Sequence, residues 1–249
     1  MYTNDQVTAV ATRLAAASRV TVLTGAGVSA ASGVPTFRGA GGQWGNFKAQ
    51  DLATRAGFVR DPELVWDWYA WRRKELTTCK PNRAHEILAA WSHRFPRFSL
   101  VTQNVDGLHE AAGTRHVVRL HGSIWEIQCL RPCPRGATPW EDRRIPLDPM
   151  PPMCPHCGKI ARPAVVWFGE NLSPTLLEQA EDATHCDVFL SIGTSSVVYP
   201  AAGLLHDARR RGAFTVEINP EATDASDVVD VALAGGAEVV LDEIAKRLG

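Results

Sequence analysis

The chain has 249 residues, 45% of them hydrophobic, a net charge of −1 and six cysteines. That is enough to bury one good core and a small second lobe, so it reads as a globular, soluble protein. The near-neutral balance offers no basic stripe, and no nucleic-acid partner is expected; the Arg72-Arg73-Lys74 and Arg209-Arg210-Arg211 clusters read as solvated helix faces or ends. No apolar run approaches the roughly 20 residues that span a bilayer. The N-terminal stretch lacks a basic region followed by an apolar core, so no membrane partner and a cytoplasmic location are expected.

Val7, Val10, Ala11 and Leu14 recur at helical spacing and predict a helix over 4–17, capped by Thr3 or Asn4. A β-branched run over 19–24 predicts a buried strand that stops at Gly25-Ala26-Gly27-Val28-Ser29-Ala30. Such a turn puts glycines where backbone must approach a ligand, and it aims free N–H groups and the positive end of a helix at an anion, normally a phosphate. Alone, this glycine pattern recurs by chance in many Gly/Ala-rich turns. The acidic residue expected about 20 residues on is missing. In its place Pro35 stops the helix, and Arg38 with the neighbouring glycines predicts an ordered loop over whatever the turn binds.

Helices are predicted over 62–76, with Pro62 in its first turn, and over 82–91. Strands over 98–102 and 117–120 each run into a polar cluster, Gln103 to His109 after the first and His121 to Ser123 after the second. Later come a strand over 188–192 ending in Gly193-Thr194-Ser195, a helix over 201–210, and a strand over 214–218 ending in Asn219-Pro220-Glu221. A strand over 228–232 and a helix over 238–248 complete the series. The alternation predicts an α/β fold with a doubly wound parallel sheet, whose ligands sit beyond the carboxyl ends of the strands. The segment 124–161, rich in Pro and Cys with little periodicity, reads as an inserted lobe stabilised by something other than a core.

Cys129-x3-Cys133 and Cys154-x2-Cys157 supply that something. Two pairs, each closing a tight knuckle, can bring four thiolates to the corners of a tetrahedron and hold one structural zinc ion; four unrelated reduced cysteines are the alternative. Four thiolates leave no open coordination position, which assigns the metal to folding rather than to chemistry.

The order of motifs, GAGVSAASGVPTFRG, TQNVDGLH, LHGS, two Cys pairs, VVWFGE, GTSS and INPE, resembles the sirtuin family of NAD-dependent protein lysine deacylases over nearly the whole chain. With Tyr69 and Arg72 it is similar to the class III branch, which removes acidic acyl groups such as succinyl and malonyl. The resemblance implies a Rossmann-like NAD-binding domain over 1–45, 80–123 and 166–249. It also implies a small domain over 46–79 and 124–165, with helical and zinc-binding parts. NAD and an acylated lysine side chain of a protein would occupy the cleft between them.

Residue by residue, the resemblance places Gly25, Ala26 and Gly27 at the pyrophosphate, and Phe37, Arg38 and Trp44 in the loop stretch beside the nicotinamide ribose. Gln103 and Asn104 match ribose contacts, with Val105 between them and Asp106, which matches the residue that helps hold the nicotinamide amide. On spacing alone, Asn104 and Asp106 could equally cap the following turn. Gly193, Thr194 and Ser195, then Asn219, Pro220 and Glu221, fall to the adenosine phosphate and ribose, and Ala237 to the adenine end. His121 is implied as general base: it takes a proton from the ribose hydroxyls, and free lysine, nicotinamide and 2′-O-acyl-ADP-ribose result. Val166, Trp167, Phe168, Gly169 and Glu170 look like one edge, and residues 196–198 the other, between which the substrate peptide lies as an added strand.

Tyr69 and Arg72 are three apart on a predicted helix and can converge on a carboxylate at the far end of the acyl chain, with the small Ala40 leaving room for it. On pattern alone the same helix is amphipathic, with Tyr69 packed and Arg72 solvated. Plain deacetylation, ADP-ribosyl transfer and a non-catalytic NAD or ADP-ribose module remain the other readings.

Overall fold

The computed structural model describes residues 2–35, 43–44, 47–131, 133 and 138–249, with the backbone alone at 43–44 and 47–50. The chain opens with α1 (Asn4–Ala15), β1 (Arg19–Thr24) and a 3₁₀ turn (Ala26–Ser32), followed by the two-residue strands β2 (Gln43–Trp44) and β3 (Phe47–Lys48). Four helices come next: α2 (Ala49–Leu52), α3 (Arg55–Arg60), α4 (Pro62–Leu76) and α5 (Arg83–Arg94). After β4 (Arg97–Thr102), α6 (Leu108–Ala111) and β5 (Val117–Arg119), the chain enters β6 (Gly122–Cys129), β7 (Trp140–Glu141) and β8 (Ala161–Val165). It returns through α7 (Pro174–Ala183), β9 (Val188–Ile192), α8 (Gly203–Arg210), β10 (Phe214–Asn219), β11 (Val231–Ala234) and α9 (Ala237–Leu248).

Six strands form one parallel sheet in the order β11-β10-β9-β1-β4-β5. From β1 the chain winds outward through β4 and β5 on one side, and later through β9, β10 and β11 on the other. The switch point of this doubly wound, Rossmann-like sheet is therefore the β1–β9 seam, and the crevice beyond its carboxyl ends is where such sheets bind ligands. Alternation along β1 explains the layers: Val20 and Val22 join α1, α5 and α9 in one core, whereas Leu23 joins α7 and α8 in another.

The inserted lobe has a core of its own, contrary to the expectation from its composition. β6 lies between β7 and β8, antiparallel to both. The aromatic helix α4 covers this small sheet, with Trp66, Trp68 and Tyr69 packed against Ile124, Ile127, Ala161 and Val165. The Trp66 indole N–H donates to the Ala161 carbonyl at 2.9 Å. Burial of several large aromatics, each worth roughly 2–3 kcal/mol, therefore holds the lobe together with the cysteines.

Those four cysteines do cluster, with every Sγ within 4.8 Å of the others. The Cys129–Cys157 and Cys133–Cys154 sulfurs lie 3.5 and 3.9 Å apart. A tetrahedral zinc with bonds of about 2.3 Å needs sulfurs about 3.8 Å apart, so the residues fit that ion closely.

Other differences are local. The glycine turn leads into a 3₁₀ segment rather than an α-helix. α1 ends at Ala15 and is capped by Thr3 in a capping box with Gln6. β11 starts three residues later than expected, because Asp230 is spent accepting the Thr215 N–H and O–H at 2.7 and 2.8 Å. Among the described residues no helix is long and apolar enough to cross a membrane.

Replacing one zinc ligand, Cys154→Ser, is expected to lower bound zinc and loosen the tryptophan-rich lobe while the parallel sheet stays folded. Metal analysis together with near-ultraviolet circular dichroism checks this; full zinc content and an unchanged tryptophan signal would contradict it.

Candidate active site

Four parallel strands, β4, β1, β9 and β10, end side by side, and their last residues are tied into one edge. Gly25 N–H donates to the Ile192 carbonyl at 3.0 Å, Gly27 N–H to Gly193 at 2.8 Å, and Gly193 N–H to Ile218 at 2.9 Å. Gln103 Nε2 donates to Thr194 Oγ1 at 2.9 Å, and Asn219 Nδ2 to the Thr194 carbonyl at 3.3 Å. Gly25 and Gly27 are needed for a reason nearer than a ligand. A Cβ on Gly27 would stand 2.6 Å from Gly193 Cα, and one on Gly25 would stand 2.7 Å from the Gly193 oxygen. Gly193 itself has φ +60, which favours glycine. The Gly25, Gly27 and Gly193 amides are spent on these ties rather than left free, so what the edge offers the phosphates and riboses of a dinucleotide is its hydroxyls, its carboxamides and the other backbone amides of the two turns. Ser195 is half-buried, Pro220 and Glu221 are exposed at this edge, and the Ala237 side chain lies in the core, leaving only its backbone for an adenine.

Asn104 and Asp106 do more than cap a turn. Asn104 Nδ2 donates to the Gly25 carbonyl at 3.0 Å and to Ser29 Oγ at 3.3 Å, which leaves Oδ1 as an acceptor for a hydroxyl. The buried Asp106 carboxylate accepts Ser29 O–H at 2.8 Å and Leu108 N–H at 2.9 Å. Val105 is half-buried, and its carbonyl accepts Ile124 N–H at 3.0 Å.

Ser29 and His85 were not singled out by motif, yet they orient this carboxylate. His85 Nδ1 accepts the Asn82 N–H at 3.2 Å, so Nε2 carries the proton and donates to Ser29 Oγ at 3.3 Å. Ser29 is thereby held as a donor to Asp106. The ring of His109 lies 4.8 Å from that of His85. Burial, with the neighbouring His85 adding to it, pushes His109 down to about 3, so it stays neutral. The only signals in the sequence were Ser29 within the glycine motif and Asn82 at a predicted helix start.

His121 follows β5 and is half-buried. Its Nδ1 lies 2.9 Å from the Gln103 carbonyl oxygen, which can only accept. Nδ1 therefore holds the proton and Nε2 presents a free lone pair. Burial lowers its pKa below the usual imidazole value, and the bond to Gln103 opposes that shift without cancelling it. The backbone of His121 is also tied to the next segment, its carbonyl accepting Val166 N–H at 3.0 Å.

In that segment only part of the motif faces outward. Phe168 is 50% exposed, Gly169 is exposed with φ +84, and Val166 is half-buried. Across the site, Val197, Val198 and Tyr199 are exposed as well. Trp167 and Glu170, expected at the same edge, turn their side chains into the protein: Trp167 Nε1 donates to Tyr69 Oη at 3.0 Å, and Glu170 pairs with Arg162 at 2.5 and 2.8 Å. Burial alone would raise the Glu170 carboxyl, but the Arg162 hydrogen bonds, the Trp167 N–H and the Arg162 charge hold it below its usual value.

Tyr69 and Arg72 do share one face of α4. Tyr69 is 1% exposed, within an aromatic cluster. Burial pushes its phenol up to about 12, against the opposing influence of Arg72. Arg72 is half-buried rather than solvated, its guanidinium 5.0 Å from the centre of the Trp68 ring and 6.0 Å from that of Tyr69. Burial lowers its pKa, while Tyr69 and the Asp106 charge oppose that shift. Phe37, Arg38 and Ala40 lie outside the described residues, as does the side chain of Trp44.

The Sir2 family model matches residues 25–200. An NAD-dependent protein deacylase of Aquifex aeolicus is 44% identical, with 92% of this chain and 97% of that one covered. NAD-dependent protein deacylase 1 of Pseudomonas aeruginosa is 46% identical, covering 96% of this chain and 98% of that one. Among solved structures, a Sir2 homologue–NAD complex superposes with a TM-score of 0.90 at 41% identity, over 96% of this chain and 93% of that one. A Sir2 complex with a p53 peptide and NAD+ superposes at 0.81 and 27% identity, over 94% of this chain and 95% of that one.

The half-buried His121 imidazole, with its Nδ1 proton committed to a carbonyl, is expected to titrate below 6.5, so that Nε2 is unprotonated at neutral pH and takes a proton only as the pH falls below that value. Nitrogen-15 NMR of the ring reads both properties. A proton on Nε2 at neutral pH, or titration above 6.5, would contradict the arrangement.

Proposed function

The chain belongs to the Sir2 family, and on that premise we propose that it is an NAD-dependent protein lysine deacylase that prefers acyl groups ending in a carboxylate. The observation that carries the chemistry is His121, whose Nδ1–H bond to Gln103 leaves Nε2 as a base beside the strand edge that suits a dinucleotide. When bound, NAD would supply the electrophilic ribose carbon and the hydroxyls that take over the acyl group. His121 Nε2 accepts the proton from those hydroxyls, a task that suits a group titrating near or below neutrality. Asn104 Oδ1 accepts from the ribose, and Asp106, held by Ser29 and Leu108, orients the carboxamide end. Gly25, Ala26, Gly27 and the Gly193–Ser195 turn hold the phosphates, Asn219 and Glu221 the adenosine ribose, and Phe37 shields the reacting sugar from water, with Arg38 beside the nicotinamide ribose. The peptide runs as an added strand between Val166–Gly169 and residues 196–198, a mode that reads backbone more than side chains and admits many protein substrates. Residues 1–45, 80–123 and 166–249 form the NAD-binding domain in this reading, and the rest the small domain.

The acyl preference rests on Tyr69 and Arg72. A guanidinium held on aromatic faces can make two parallel charge-assisted bonds to a carboxylate, and a phenol kept protonated can donate to the same group. An acetyl group offers neither partner. With NAD present, the wild type is expected to favour succinyl-lysine over acetyl-lysine peptides, releasing one nicotinamide for each lysine freed. Arg72→Met should lose about 2–4 kcal/mol of transition-state binding for the succinyl substrate alone. Steady-state kcat/KM on both peptides checks it: a parallel fall in the two, or a wild type that prefers acetyl, would show that the pair reads no carboxylate.

A further inference from the structure

We propose that Trp167 sets acyl specificity through Tyr69: its indole N–H fixes the phenol as a hydrogen-bond donor to the carboxylate of the acyl chain. The proposal rests on the acidic-acyl reading above and adds to it a positioning residue, which need not touch the substrate. An indole nitrogen can donate and cannot accept, so the 3.0 Å contact from Trp167 Nε1 to Tyr69 Oη occupies a lone pair of the phenol. The phenol hydrogen is left to point elsewhere. A hydroxyl free of such a partner could rotate and offer a lone pair, which would repel a carboxylate instead of binding it. Burial keeps the phenol protonated up to about 12, so the donor persists across the working pH range.

Trp167 is held unusually firmly for a residue in a substrate-edge loop. It is 2% exposed, and the Phe58 ring lies 5.1 Å from it, centre to centre. The Arg162 guanidinium sits 3.5 Å from the centre of the indole. Arg162 is itself fixed by both Glu170 oxygens, at 2.5 and 2.8 Å, and by the Val165 carbonyl at 2.8 Å. Glu170 closes the loop by accepting the Trp167 backbone N–H at 3.0 Å. A rigid donor of this kind selects one orientation of its partner and loses little entropy in doing so.

The test is the ratio of kcat/KM for succinyl-lysine to that for acetyl-lysine in a double-mutant cycle of Trp167→Phe and Tyr69→Phe, with NAD saturating. Trp167→Phe keeps an aromatic ring under Arg162 but removes the N–H, and the ratio is expected to fall roughly three- to tenfold, whatever happens to the two rates together. In the Tyr69→Phe background the same substitution should leave the ratio unchanged, because no hydroxyl remains to be oriented. If Trp167→Phe does not fold, the benzothiophene isostere of Trp167, with sulfur in place of the N–H, makes the same comparison at unchanged shape. A wild-type preference retained without the N–H, or a ratio that falls equally with and without the Tyr69 hydroxyl, overturns this proposal and leaves the acidic-acyl reading standing. A wild type with no succinyl preference removes that reading, and the proposal with it.

Discussion

Backbone meets backbone where the turn after β1 presses on the turn after β9, and the rim of strand ends depends on that contact. Gly27 N–H bonds to the Gly193 carbonyl at 2.8 Å, with no room for a Cβ on Gly25, Gly27 or Gly193. The contact lies at the switch point of the sheet, where outward winding in both directions would otherwise leave the two turns splayed around an open crevice. Drawing them together sets the position of Thr194. Its hydroxyl receives Gln103 and its carbonyl Asn219, so four strand ends act as one rigid rim.

From that rim the chemistry is organised by committing one end of each polar group. Gln103 gives its carbonyl to His121 and its side chain to Thr194, which links the proposed base to the strand-end rim through a single residue. Asn104 spends its amide hydrogens on Gly25 and Ser29, and Ser29 spends its own on Asp106. The small lobe is fastened to the same loop: Trp125 Nε1 donates to the Asp106 carbonyl at 2.7 Å, and Ile124 N–H to the Val105 carbonyl at 3.0 Å. Each tie contributes only about 1 kcal/mol, but together they leave the reactive atoms few orientations.

How much of this was legible in the sequence depended on the range of the interactions. The spans of β1, α4 and β9 follow from local signals: short β-branched runs ended by glycine, and Pro62 at a helix start after Asp61. Polar residues at strand ends are equally local, and they put Gln103, His121, Gly193 and Asn219 at one end of the sheet, where the structure ties them together. The pairing of β6 with β8 was not legible, because it joins segments separated by the cysteine knuckles and alternates poorly, with Arg162 buried among apolar neighbours. The inward turn of Trp167 and Glu170 was hidden for the same reason, since their partners Tyr69 and Arg162 stand on other elements. The glycines read as making room for a ligand, and the structure shows a nearer cause, the neighbouring turn at Gly193.

Calorimetric binding of NAD to Gly27→Ala, beside Gly203→Ala as a control, tests the dependence on that turn-to-turn contact most directly. The new methyl in the first variant would stand 2.6 Å from Gly193 Cα, whereas in the second it meets only the Tyr199 ring at 3.8 Å. Forcing the two turns apart is expected to weaken NAD binding by about tenfold or more, a cost of 1.4 kcal/mol or above, while the control binds as wild type. Wild-type affinity in folded Gly27→Ala would contradict the dependence of the proposed cofactor edge on this contact.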